Sequence, residues 1–321
     1  MSVGRMRDPY HNRRVSSTKR FSISWPLILV VLTWGFNFVS LKILYREMEP
    51  PAAMLLRFAT MWALLIPVCK LRGLSLAYVA KDAVRILISG FISMGLYMVL
   101  FMEGLHMTSP AEGAIILASS PVMTYLMATA LKQERFSAPA LIGSSIAFAG
   151  VAMVILGGTS ADGATMKGNL IMLASSVVWA YCVVYMKPLL NRYDATQLLA
   201  LSMPGGALLM VPYGLASLVH TNFRGVSPLG WMMFLQVSVL SGVIGFGCFY
   251  VGIKQVGASR ATLYQYFVPP AAALFAWIVM GRTLAPIQMV GLVILLFGVF
   301  ATTKARIAIQ PRREVVSEAA T

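Results

Sequence analysis

Trp34, Asn37 and Ser40 recur at three-residue spacing, so one helix face carries an indole ring, an amide and a hydroxyl. On an apolar helix such a face either bonds a neighbouring helix, for about 0.6–2 kcal/mol, or lines a wet cavity able to bind a small polar molecule. Trp179 occupies the matching place later in the chain, while Tyr97, Phe249 and Tyr250 are aromatic residues that would wall such a cavity or simply pack. Tyr264, Gln265 and Tyr266 add ring faces and hydrogen-bonding groups just ahead of Pro269 and Pro270, and Pro121 occupies the matching place in the first half. Each proline lacks an N–H and crowds the carbonyl four residues earlier, which frees the oxygens of Leu117, Gln265 and Tyr266. Interrupted helices at corresponding places in two halves point to a binding site at membrane mid-depth; kinked packing alone is the alternative.

The ionisable residues offer less chemistry. Arg57 follows Pro51 by six residues, which at the rise of a helix puts it roughly 9 Å into its span. It either pairs there or snorkels to the surface. Lys42, Glu103, His106 and Glu112 should lie near the same level, where mutual ion pairing would lock a gate and interfacial anchoring is the simpler reading; Glu103 or Glu112 could also carry a coupling proton. Cys69, Cys182 and Cys248 are isolated, and His11, His106 and His220 are dispersed, so no metal site, disulfide framework or nucleophile–base set is predicted. There is no nucleotide-binding loop and no cofactor is expected.

These residues sit in a chain that is 58% hydrophobic and 12% charged over 321 residues, against roughly 45–50% and 25% in soluble domains. Uncharged stretches near twenty residues long recur, each able to cross roughly 30 Å of hydrocarbon. Their apolar residues run continuously rather than alternating, which selects helices over a barrel. Ten spans are predicted, at 25–45, 50–70, 84–104, 110–131, 136–157, 168–187, 196–219, 229–253, 258–281 and 283–303. Of the 26 Lys and Arg, an N-terminus placed inside puts twenty in the cytoplasm and four outside, with Lys42 and Arg57 within spans; both termini are therefore expected in the cytoplasm. The charge of +15 then reflects topology rather than a nucleic-acid partner. Residues 1–24 read as a basic tail without a cleavable signal, and 305–321 as a second tail whose Arg306, Arg312 and Arg313 meet anionic lipid headgroups.

A shift of 148 residues superposes Gly104 on Gly252, Pro121 on Pro269, Gly143 on Gly291 and Gly150 on Gly298, and a shift of 145 superposes Trp34 on Trp179 and Lys42 on Lys187. The chain is thus an all-α polytopic membrane protein, ten transmembrane helices arranged as two inverted five-helix repeats, 25–157 and 168–304. The run Trp34-Gly35-Phe36-Asn37-Phe38 with Lys42, then Pro51 and Arg57, Gly104-Leu105, Thr108-Ser109-Pro110-Ala111-Glu112, Ser120-Pro121, Glu134 and Gly143 resembles the drug/metabolite transporter superfamily, and within it the EamA-type transporters. The second half answers with Gly257-Ala258-Ser259-Arg260-Ala261, Pro269, Gln288 and Gly291. Two departures are Arg282, where an acidic residue is usual, and Trp179-Ala180 in place of Trp-Gly. The resemblance implies a central cavity between helices 1, 3, 4, 6, 8 and 9 that opens alternately to either side of a bacterial inner membrane, exporting small metabolites such as amino acids. Uptake or exchange on the same fold, or an intramembrane enzyme, are the competing readings. The partners implied are a small-molecule substrate and the lipid bilayer; no feature bears on oligomeric state.

Overall fold

A computed structural model describes residues 24–132, 136–157, 164–190, 192–256 and 264–309. The basic tails, Glu134 and the 257–261 segment lie outside them, as does the side chain of Tyr250. Among the described residues run ten helices: α1 (Trp25–Leu44), α2 (Pro50–Leu71), α3 (Ala80–His106), α4 (Pro110–Ala130), α5 (Ala138–Gly157), α6 (Met166–Leu190), α7 (Ala195–His220), α8 (228–256), α9 (Gln265–Met280) and α10 (Pro286–Ile309). Nine hold a stretch long and apolar enough to cross a bilayer, and the described part of α9 is the shorter tenth. The protein is an all-α polytopic membrane protein.

Local chemistry starts the helices. Proline lies in the first turn of α1 and α2, where a backbone N–H would have no helical partner. Ser109 and Ser227 accept hydrogen bonds from the N–H groups of Glu112 and Gly230 at the heads of α4 and α8, and Asp194 accepts from Thr196 at the head of α7. Gly281, at φ +66°, ends α9 in the left-handed conformation that glycine adopts without penalty. Short described connections turn helices back on their predecessors, so the membrane end at which α1 begins, the near end, also holds the α2–α3 and α6–α7 connections. The far end holds α1–α2, α3–α4 and α7–α8.

Two helices depart from the plain spans predicted. Phe91–Leu96 within α3 and Gln236–Gly245 within α8 wind as π-helix, and they begin 145 residues apart, at equivalent places in the two repeats. An apolar run averages over one inserted residue, so hydropathy does not betray such a turn; π segments often mark functional positions. The interruption expected near Pro121 is present: α4 consists of Pro110–Leu117 and Ser120–Ala130, meeting at Ala118 and Ser119. Pro269 and Pro270, expected at mid-helix, instead occupy the first turn of the α-helical segment Val268–Met280, after a 3-10 turn over Gln265–Phe267.

Two seams join the halves, each pairing a helix with its own counterpart in the other repeat: α2 with α7, and α5 with α10. Glycine permits both: on α7, a β-carbon on Gly214 would lie 2.6 Å from the Pro51 oxygen of α2, and the α5–α10 seam is closer still. A β-carbon on Gly298 would lie 2.3 Å from the Ala147 nitrogen, and one on Gly150 would lie 2.6 Å from the Gly291 oxygen. The outward faces of α5 and α10 present Ile142, Leu156, Phe297 and Phe300, all exposed, as lipid-facing surfaces require. Between the seams lies a space walled by the remaining six helices together with α2.

Candidate functional site

A cavity with about 90 Å³ open to the centres of water-sized molecules occupies that space, where a single water needs only about 10–15 Å³. The structure brings nine of the residues singled out by sequence to its wall: Trp34 and Asn37 from α1, Arg57 from α2, Tyr97 from α3, Pro121 from α4, Trp179 from α6, and Gln265, Tyr266 and Pro269 from α9. Both halves contribute.

The wall is fixed from behind. Trp34 donates its Nε1–H to the carbonyl of Ser241 at 3.1 Å, within the π segment of α8, and its ring packs on Phe246 and Phe249 with centroids 5.2 and 5.3 Å away. Trp179 packs on Tyr97 at 4.9 Å, and the Tyr266 hydroxyl lies 2.9 Å from that of Thr303. Phe249 therefore supports Trp34 from the second row and does not line the cavity. Tyr264 points to the near end, where its hydroxyl accepts the Ser24 N–H at 3.2 Å. Pro270 is also off the wall. Sequence reasoning gave no site role to Phe38, Met98, Phe101, Ser120, Ser241 and Phe246, which also line it.

Arg57 does not snorkel. It is 5% exposed, and its Nε and Nη1 have no hydrogen-bond partner; Asn37, 6% exposed, leaves Oδ1 without one. Leaving a buried donor or acceptor unsatisfied costs about 1–3 kcal/mol per group, and an Arg at the membrane centre about 2.5–3.5 kcal/mol on insertion scales. Groups held at such cost against a cavity mark where a solute or water completes the bonding.

The other ionisable residues singled out gather at the far end. Lys42 donates to the carbonyl of His106 at 2.8 Å, Glu103 accepts from the Tyr213 hydroxyl, and Glu112 accepts from Thr108 at 3.1 Å and from the Gln288 amide. None of these three is on the cavity wall.

Sequence reasoning also missed polar staples at both ends of the α2–α7 seam. At the near end Arg72 grips Asp194 with two contacts of 3.2 Å, and Arg192 meets Asp82 at 2.5 Å while Tyr193 donates to the same carboxylate at 3.0 Å. At the far end Ser217 donates to Glu49 at 2.7 Å, and Ser227 donates to Glu47 through its N–H at 2.6 Å and its hydroxyl at 2.7 Å. A shift of 145 carries Arg72 onto Ser217, Asp82 onto Ser227, Glu47 onto Arg192 and Glu49 onto Asp194. One set of contacts is thus made twice, and the repeat offset was the signal that would have found it.

The EamA-like transporter family matches residues 22–156 and again 166–304. The chain belongs to that family. Among similar proteins are the uncharacterised transporter YyaM of Bacillus subtilis, 26% identical and covering 72% of this chain and 76% of its own length, and the probable terminal-alkyne amino-acid exporter of Streptantibioticus cattleyicolor, 25% identical over 83% and 88%. The probable amino-acid metabolite efflux pump of Salmonella typhimurium is 22% identical over 85% and 92%. A solved crystal structure shares the fold at a TM-score of 0.63, with 18% identity, covering 89% of this chain and 98% of that one. This EamA-family protein is an integral membrane transporter.

Because a β-carbon on Gly245 would fall 2.7 Å from the Trp34 Nε1, whereas one on Gly247 would meet nothing within 4 Å, the two glycines form a matched pair. Gly245→Ala in this EamA protein is expected to displace the indole, shift tryptophan emission and lower transport several-fold; Gly247→Ala should leave both unchanged. Equal emission spectra would show that Trp34 is not held as described.

Proposed function

We propose that the protein is a secondary transporter that exports a small metabolite such as an amino acid by alternating access, from a membrane in which the near end and both termini face the cytoplasm. The observation that carries this reading is the cavity at half depth, walled by helices of both inverted repeats and edged by buried groups that lack partners. A site on the axis between two inverted bundles can be exposed to either side by rocking one against the other. The names of the relatives from Streptantibioticus and Salmonella support amino-acid-like cargo and outward movement. The orientation is supported by charge: Lys70, Arg72, Lys81, Arg85 and Arg192 cluster at the near end, against Arg46, Lys167, Arg224 and Arg282 at the far end. The bacterial inner membrane is the setting that these features fit.

Liposomes carrying the full-length protein provide the test. Labelled amino acids should cross only when protein is present. Asn37→Ala and Tyr266→Ala should each lower the rate about ten-fold while yielding the same amount of folded protein. Flux indifferent to both substitutions would remove the cavity from the path, and absence of flux for the whole panel would remove the amino-acid assignment.

A further inference from the structure

Behind Arg57 lies a second, smaller chamber between α2, α3 and α7, with about 10 Å³ free. Its lining is unusual: Met54 and Met61 from α2, Met94, Met98 and Met102 from α3, and Met203 and Met210 from α7, with Phe58 and Arg57. The spacings of seven residues on α2 and α7 and of four on α3 put each set on one helix face, and every one of these methionines is buried. Arg57 and Met98 border both this chamber and the central cavity, so they form the partition between them.

Methionine is unbranched, with three rotatable bonds and a polarisable sulfur, and it repacks around guests of different shape where branched residues would hold a fixed wall. Thioethers also ligate soft metal ions, but here the lining includes a guanidinium, whose positive charge opposes a cation. An apolar guest suits the lining; the free space as it stands holds no more than about one water, so a side chain enters only as the methionines repack around it. The partition supplies polar groups of the matching kind: Nε and Nη1 of Arg57 are buried donors without a hydrogen-bond partner, of the type that pairs with a carboxylate, and Oδ1 of Asn37, a residue of the cavity wall, is a buried acceptor without one, of the type that takes an ammonium group.

We propose that this transporter binds a zwitterionic amino acid with an unbranched apolar side chain, its carboxylate on Arg57, its ammonium group on Asn37 and its side chain in the methionine chamber. This rests on the transport reading above and names the cargo of the same cavity. The chamber opens to admit the side chain by rotation of Met98, and it discriminates by shape because a branch at the β-carbon cannot pass the partition.

Trp34 and Trp179 line the cavity, so binding to the purified full-length protein is readable as tryptophan fluorescence without any transport. The probes are L-norleucine, L-norleucinamide, hexanoate, glycine and L-isoleucine. Norleucine is expected to bind at least ten-fold more tightly than each of the others. Arg57→Gln should bring norleucine down to the level of norleucinamide. Arg57→Lys, which keeps the charge but loses the planar fork, should retain part of the preference for the acid and controls for folding. Met98→Ile should weaken norleucine about ten-fold and leave glycine unchanged. Equal affinities for norleucine and its amide, or Arg57→Gln binding norleucine as the native protein does, would overturn the carboxylate contact. A series in which isoleucine matches norleucine, or in which no probe binds, would overturn the chamber. Liposome flux of other amino acids alongside that failure would leave the transport reading standing, whereas binding as described without any flux would sink the transport reading alone.

Discussion

Gly298→Val is expected to abolish recovery of folded, monodisperse protein. Its β-carbon would stand 2.3 Å from the Ala147 nitrogen and 2.7 Å from the Gly143 oxygen, and backbone cannot move aside as a flexible side chain can. Core overpacking ordinarily costs about 1–3 kcal/mol; here α5 and α10 would have to separate along a seam whose stability comes from close small-residue contact. The loss should exceed that range. Size-exclusion profiles and thermal unfolding in detergent measure it, with Gly247→Ala as the reference. A Gly298→Val protein that elutes and melts like the native one would show that the halves do not meet at this seam.

Arg192→Ala should destabilise the protein far more than Arg72→Ala, although both remove an arginine from the near end. Asp82 has a side chain only 5% exposed, so removing Arg192 leaves a carboxylate out of water with the Tyr193 hydroxyl as its remaining described partner. Breaking a buried pair from one side costs about 3–5 kcal/mol, and the retained hydroxyl bond puts the expectation at the lower end. The pair of Arg72 with Asp194 is more open, at 46% and 15% exposed, and exposed pairs contribute about 0–1 kcal/mol. Adding Asp82→Asn to Arg192→Ala removes the stranded charge and should restore most of the lost stability. Equal melting shifts for the two single variants, or no recovery in the double variant, would contradict this account of the staple.

The architecture was legible because hydropathy, the basic residues beside the spans and the two repeat offsets are all properties of composition and spacing. The cavity wall was legible in part for a related reason: Trp34, Asn37, Trp179 and Gln265 are polar or amphipathic residues in an otherwise apolar run, and in lipid such residues need a reason. Arg57 was noticed on the same ground, but its direction depends on which neighbours surround the second turn of α2, and sequence leaves snorkelling open. Phe249 and Tyr264 were misplaced relative to the wall because aromatic type says nothing about whether a ring faces a cavity or supports the ring that does. The π segments were hidden because they alter helical phase without altering hydropathy. The methionine chamber was written in the spacings of Met54 and Met61, of Met94, Met98 and Met102, and of Met203 and Met210, yet a methionine stripe on an apolar helix has no meaning until three such stripes converge.

The twin staples of the α2–α7 seam leave the molecule with a built-in polarity toward ionic strength. At the near end the more open pair of Arg72 with Asp194 weakens as the Debye length shrinks from about 10 Å at 0.1 M to about 3 Å at 1 M salt, while the contact of Arg192 with the buried Asp82 is screened much less. At the far end Glu47 and Glu49 are held by serine hydroxyl and amide donors, short contacts to which screening matters little. Concentrated electrolyte should therefore loosen one mouth of the seam and spare its twin, although duplication gave both the same address.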